Sequence, residues 1–226
     1  MKESLESKNT VSADGQVARH IPYEGKCGGS PKIMIIGNSV TRHEPAADIG
    51  WNFDHGMAAS KKENDYVHRL ISMITSVRPN AEFVIIQAAQ WEFKYRTANK
   101  DALFSSARGF HPDIIITFLS ANIPAADFTR EDFIREMGSL HDYLADGCTA
   151  KLIQGDSFFN NREKCDAILE YCCRRGADFV RMSDLSENPE NLAIGLFEHE
   201  GVAHHPGDIG MLRIAERFFE AVKKHI

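Results

Sequence analysis

Ser39 stands directly after a short apolar run that ends in glycine, Lys32-Ile33-Met34-Ile35-Ile36-Gly37-Asn38-Ser39. Gly37 allows a sharp turn, so the serine hydroxyl is expected free at the end of a strand. Late in the chain comes His205, within His204-His205-Pro206-Gly207-Asp208, where Pro206 biases it toward an extended conformation. A hydroxyl nucleophile and an imidazole base are the equipment for hydrolysis through a covalent intermediate. Between the two lies Asn122, reached when the run Asp113-Ile114-Ile115-Ile116-Thr117-Phe118 exits through Leu119-Ser120-Ala121-Asn122. A carboxamide N–H aimed at a developing oxyanion is worth roughly 3–4 kcal/mol where such donors have been removed. Each residue alone also has a plain structural reading, as a turn, a strand exit or an approach to a helix.

The elements that must position them follow from the hydrophobic pattern. Apolar runs at 32–36, 82–86, 113–118, 150–154 and 178–181 are continuous rather than alternating, as in strands buried on both faces of a parallel sheet. Helical spacing appears between them over 57–77, 130–144, 162–175 and 209–225, with Thr129 and Asp208 placed as N-caps. Five strand–helix repeats imply a doubly wound α/β sheet with helices on both faces. Ligands in such sheets gather at the carboxyl ends of the strands, near the reversal of strand order. Residues 1–30 are rich in Ser, Gly, Glu and Lys and read as an irregular N-terminal arm, with one domain over 31–226.

The chain resembles an SGNH hydrolase of the GDSL esterase/lipase superfamily. Gly37-Asn38-Ser39 is similar to the family's first block, usually Gly-Asp-Ser. Ser120-Ala121-Asn122 is similar to its third, Gly-x-Asn, with Ser in place of Gly, and His205-Pro206 matches the end of its fifth, Asp-x-x-His-Pro. The resemblance spans residues 32–226 and implies a flavodoxin-like three-layer α/β/α sandwich on a five-stranded parallel sheet. It implies Ser39 as nucleophile, His205 as base and then acid, an oxyanion hole from the Ser39 N–H and Asn122, and no cofactor.

Two departures stand out. The family's Asp three residues before the histidine is Val202 here, so an orienting carboxylate must come from elsewhere, with Glu200 and Glu198 nearest. A main-chain carbonyl holding the imidazole would also serve, leaving a Ser–His dyad. The second block's glycine, an oxyanion donor, is missing from Gln87-Ala88-Ala89-Gln90-Trp91-Glu92, where the backbone of Ala89 or Gln90 is the substitute. The long exit from the first strand, 41–57, is expected to wall a pocket with Arg42, His43 and Trp51 beside Asn38, and Trp91 stands at the next strand exit. Trp51 suits a sugar ring and Arg42 an anion, although Trp51 and Phe53 read equally well as packing over the sheet edge.

The leading expectation is an esterase acting on a small acyl ester, with an acetylated sugar as the favoured substrate. A metal-dependent hydrolase using His199, His204, His205 and Asp208 is one alternative, and a non-catalytic binding module on the same fold is another. A formal charge of −6 with no basic stripe argues against a nucleic-acid partner. Five cysteines, an odd number without a CxxC pair, read as free thiols of a reducing compartment. With neither an apolar leader nor a membrane-length window, a cytoplasmic protein with no membrane partner is the expectation. The sequence leaves the oligomeric state open.

Overall fold

The computed structural model describes residues 20–22 and 28–226. Five parallel strands run where the apolar runs lie: β2 (Lys32–Gly37), β3 (Glu82–Gln87), β4 (Ile114–Phe118), β5 (Lys151–Gly155) and β6 (Asp178–Val180). A sixth, β1 (His20–Pro22), pairs antiparallel with β3 at the edge, giving the order β1-β3-β2-β4-β5-β6. The arm expected over residues 1–30 thus contributes a three-residue edge strand; residues 1–19 and 23–27 lie outside the described residues. Among the five parallel strands the first and third in chain order are neighbours, the flavodoxin-like order, so the reversal falls between β2 and β4.

The sheet is buried on both faces, which is why its strands lack a polar alternation. Ile33 and Ile35 point to one face with Phe83, Ile85 and Ile116, under α1 (Tyr66–Val77) and α7 (Asp208–Val222). Met34 and Ile36 point to the other with Val84, Ile86 and Ile115, against α2 (Ala89–Phe93), α3 (Lys100–Phe104), α4 (Arg130–Ala145) and α5 (Arg162–Arg175). One short helix, α6 (Glu200–Ala203), precedes the loop that carries His205.

Two local expectations are corrected, and a third, the Thr129 cap, holds in position but not in its hydrogen bond. The helix expected from residue 57 begins at Tyr66, because the buried Asp65 carboxylate caps His68 N (2.8 Å) and also accepts Gly56 N (3.0 Å), holding 57–65 in a compact loop. Thr129 occupies the N-cap position of α4, but its hydroxyl donates to Asp132 (2.8 Å) instead of accepting a helix N–H. Gly207, not Asp208, is the N-cap of α7; the Asp208 carboxylate accepts Ser60 N (2.8 Å), Ser60 Oγ (2.6 Å) and Asn64 Nδ2 (2.8 Å), tying α7 to that same loop. Cys148, Cys165, Cys172 and Cys173 are free, and Cys27 lies outside the described residues.

Gly37 is where sheet packing meets the candidate nucleophile. A Cβ there would lie 1.8 Å from Thr41 Oγ1 and 3.1 Å from the Phe118 carbonyl. Thr41 has nowhere to retreat, because its hydroxyl is hydrogen-bonded to the buried Tyr66 OH at 2.7 Å. Gly37→Ala is therefore expected to cost about 1–3 kcal/mol, as overpacking does. A urea titration checks this; an unchanged midpoint would show that the turn relaxes freely.

Candidate active site

The chain leaves β2 in a tight turn. The Asn38 carbonyl accepts both Thr41 N (2.9 Å) and Arg42 N (3.0 Å), and Ser39 sits on the turn with its carbonyl accepting Met57 N (2.9 Å). Ser39 Oγ lies 2.8 Å from His205 Nε2. The other ring nitrogen, Nδ1, lies 2.6 Å from the Gly201 carbonyl, which can only accept, so Nδ1 carries the proton and Nε2 is left to accept from Ser39. The histidine loop is fixed in turn: His205 O accepts Ala193 N (3.0 Å), His205 N donates to Val202 O (2.9 Å), and the Phe159 ring meets the imidazole edge-on at 5.4 Å. Desolvation of the ring pulls its pKa down to about 4, opposed by the Gly201 carbonyl and helped by His43, His199 and His204 nearby.

The orienting group is therefore a main-chain carbonyl. Glu198 and Glu200 are both exposed, and neither takes the place at Nδ1. Val202, at the position of the family's Asp, is buried among Ile49, Trp51, Met57 and Ala193. That apolar cluster joins the 41–57 loop to the histidine loop.

Asn122 comes to the same edge from β4, and what holds it is a residue with no expected role in the site. Glu92, on α2, has no exposed surface. Its Oε1 accepts Ser120 N (2.5 Å), Asn38 Nδ2 (3.2 Å) and Asn122 N (3.5 Å), and its Oε2 accepts Asn122 Nδ2 (2.7 Å). Burial raises its pKa, while these four donors oppose the rise. One Asn122 amide hydrogen is thus committed to Glu92, leaving the second for the cavity that Asn122 lines. The Ser39 N–H makes no hydrogen bond among the described residues. A signal for Glu92 was present: a lone carboxylate between Trp91 and Phe93 on a short segment that must pack inward.

The cavity over Ser39 and His205 measures about 280 Å³. His43 lines it as expected, with Nδ1 held by the Glu44 carbonyl at 2.6 Å and a pKa lowered by burial, so the neutral ring offers Nε2 as an acceptor. Met57, at the end of the loop expected to wall a pocket, also lines it, as do His199, considered only as a metal ligand, and Phe159, for which the sequence offers no signal.

The other expected wall residues lie elsewhere. Trp51 is fully buried, with Nε1 donating to the His43 carbonyl (3.1 Å), so it props the wall from behind. Trp91 is fully buried in the core beneath α2. Arg42 is paired with Asp54 at 2.7 Å. Asn38 is buried, accepting Val40 N (3.3 Å) and donating to Glu92. Ala89 spends its N–H on the Gln87 side chain (3.0 Å), and neither it nor Gln90 reaches the cavity, so neither replaces the missing glycine donor. Among the described residues no three His, Cys, Asp or Glu side chains converge to hold a metal ion. His204 is exposed, its Nδ1 on the Glu200 carbonyl (2.7 Å), and both His205 nitrogens are engaged.

No family model matches the sequence, and no curated protein matches it. Solved structures do match the fold. A two-domain esterase active on acetylated mannans superposes with a TM-score of 0.54 at 16% identity, covering 86% of this chain and 49% of that one. The psychrotrophic esterase EstA from Pseudoalteromonas sp. gives a TM-score of 0.55 at 15% identity, covering 86% and 98%. A protein described as a GDSL-like lipase from Bacteroides ovatus gives 0.55 at 16%, also covering 86% and 98%. The chain thus carries the α/β/α fold of the GDSL-type esterases and lipases. It spans about half the length of the two-domain esterase and nearly all of the other two.

Ser120, where the resemblance has glycine, adopts φ = 140°, a region that side chains disfavour, and its buried hydroxyl has no partner among the described residues. Such strain costs about 1–3 kcal/mol, against which glycine's extra unfolded-state entropy is smaller. Ser120→Gly is expected to stabilise the fold by about 1 kcal/mol, read from the denaturation midpoint. A lower midpoint would mean that the serine side chain contributes something beyond this geometry.

Proposed function

We propose that the chain is a serine ester hydrolase working through a Ser39–His205 dyad, on small acyl esters of carbohydrates. The observation that carries this reading is the 2.8 Å contact between Ser39 Oγ and an imidazole whose tautomer is set from behind by the Gly201 carbonyl. In this reading Ser39 Oγ attacks the ester carbonyl carbon as His205 Nε2 takes its proton. The oxyanion is met by the Ser39 N–H and the second Asn122 amide hydrogen. Collapse expels the alkoxide, which takes the proton back from Nε2. Water, deprotonated by the same nitrogen, then attacks the acyl carbon, and collapse releases the acid as Nε2 hands that proton to Ser39 Oγ.

Without a carboxylate behind it, the imidazolium formed at each step is stabilised only by a carbonyl dipole. In Ser-His-Asp enzymes, changing the Asp to Asn drops kcat by about 10⁴ because the wrong tautomer results. Here the tautomer is already correct, so the dyad forgoes charge stabilisation but keeps its alignment.

The cavity supports the substrate class. At about 280 Å³ it is near the lower end of small-molecule sites, roughly 300–1,000 Å³. Ile49, Met57 and Val202 offer a short apolar wall for an acyl methyl, and His43 offers an acceptor for a sugar hydroxyl. The fold neighbour active on acetylated mannans points the same way.

Hydrolysis of p-nitrophenyl acetate and of an acetylated-sugar panel by wild type and Ser39→Ala tests the reading. Turnover is expected to collapse in the variant and to fall with acyl length in wild type. Equal rates in the two proteins would remove Ser39 as nucleophile. The base must be neutral to act, and burial lowers its pKa to about 4, so kcat/KM is expected to rise with pH through about 4 and reach its plateau well below neutrality. An acid limb near 6.5 would show that the imidazole is hydrated in the free enzyme.

A further inference from the structure

The segment 120–123 that carries Asn122 is gripped from two sides by buried charges. Its N–H groups face Glu92: Ser120 N at 2.5 Å and Asn122 N at 3.5 Å, with the Asn122 side-chain amide at 2.7 Å. Its carbonyls face Lys164, on the first turn of α5 and only 6% exposed. Lys164 Nζ donates to Ser120 O (2.9 Å), Ile123 O (2.6 Å) and Ala121 O (3.4 Å). Three ammonium hydrogens meet three carbonyls, and around Glu92 every hydrogen-bond neighbour is a donor. These are the surroundings that suit an ionised carboxylate and an ionised amine.

A split ion pair of this kind is a poor device for stability. Desolvating each charge costs several kcal/mol, and apolar replacements of similar volume are often neutral or stabilising. What it does provide is direction. The peptide dipoles of 120–123 are aligned between a positive and a negative charge, and Ser120 keeps its φ of 140° between them.

We propose that Glu92 and Lys164 are positioning residues that clamp segment 120–123, so that Asn122 presents one amide hydrogen to the oxyanion over Ser39. The proposal rests on the serine-hydrolase reading. Glu92→Gln discriminates sharply. If the glutamine oxygen keeps the three donors at Oε1, its NH₂ faces Asn122 Nδ2, donor against donor. The Asn122 carboxamide must then turn over and show its oxygen to the substrate.

The experiment compares wild type, Glu92→Gln, Asn122→Ala, the double variant and Lys164→Met, as full chains, with p-nitrophenyl acetate. Glu92→Gln is expected to lower kcat by about 10²-fold, the scale of losing one oxyanion donor, with KM little changed. The double variant is expected to be no slower than Asn122→Ala, since one contact has been removed twice. Losses that multiply, or an unchanged kcat in Glu92→Gln, would overturn the proposal.

If Glu92→Gln fails to fold, Lys164→Met takes its place in the same cycle with the same two criteria. NMR of the Asn122 side-chain amide, assigned by its loss in Asn122→Ala, does not depend on turnover. One of its protons is expected downfield and slow to exchange in wild type, and an ordinary shift would overturn the clamp. Full activity in Ser39→Ala would instead sink the serine reading, while the amide resonance still reports on the clamp.

Discussion

A carboxylate with no exposed surface sits where three parts of the chain must agree. Glu92 accepts hydrogen bonds from Asn38 beside Ser39, from Ser120 at the exit of β4, and from both nitrogens of Asn122. β2 and β4 end side by side because the strand order reverses between them, and that reversal leaves N–H groups pointing into a space closed to water. Glu92 satisfies them at once. Any shift of the Ser39 turn relative to the Asn122 segment would strand a buried donor or an uncompensated buried charge, at a cost of a few kcal/mol. The position of Ser39 relative to Asn122 is thereby set by electrostatics as much as by packing.

The imidazole is held by a different device. Val202 and Ala193, from the segment leading to His205, join Trp51, Ile49 and Met57 of the long loop after β2 in a small apolar cluster of their own. The 41–57 loop is fastened at both ends, by Ser39 O to Met57 N and by Asp65 to Gly56 N. The histidine loop therefore rests on a segment anchored to the backbone of Ser39. Trp51, which looks from its type like a sugar platform, supplies apolar area to this joint while its N–H is spent on the His43 carbonyl. With the ring oriented by the Gly201 carbonyl and pressed by Phe159, the imidazole lines up with Ser39 without a carboxylate behind it.

Much of this was legible in the sequence. Continuous apolar runs betray strands covered on both faces, and all five parallel strands lie within a residue of where those runs begin and end. Ser39, Asn122 and His205 were legible because each follows such a run or opens a helix, and the fold brings strand exits to one edge. The helix expected from residue 57 failed because periodicity is blind to a buried cap: Asp65 stops the helix by taking Gly56 N as well as His68 N.

The pairing of buried polar groups is settled by the assembled fold. Hydrophobic pattern and short motifs report which residues go inside and where the chain turns, because those preferences are local. They say nothing about which buried polar group finds which partner. Residue type leaves Trp51 and Trp91 open between pocket wall and packing, and both are core. Glu198 and Glu200 were nearest His205 along the chain, yet the Gly201 carbonyl reached it first. Glu92 and Lys164, 72 positions apart in the sequence, meet across one loop because both reach the backbone of Ser120 at the exit of β4. Local burial preferences are enough to lay out the sheet and the edge at which Ser39, Asn122 and His205 meet. The network that aligns them exists only once the sheet has closed around it, because a buried charge takes whatever partner the assembled core leaves within reach.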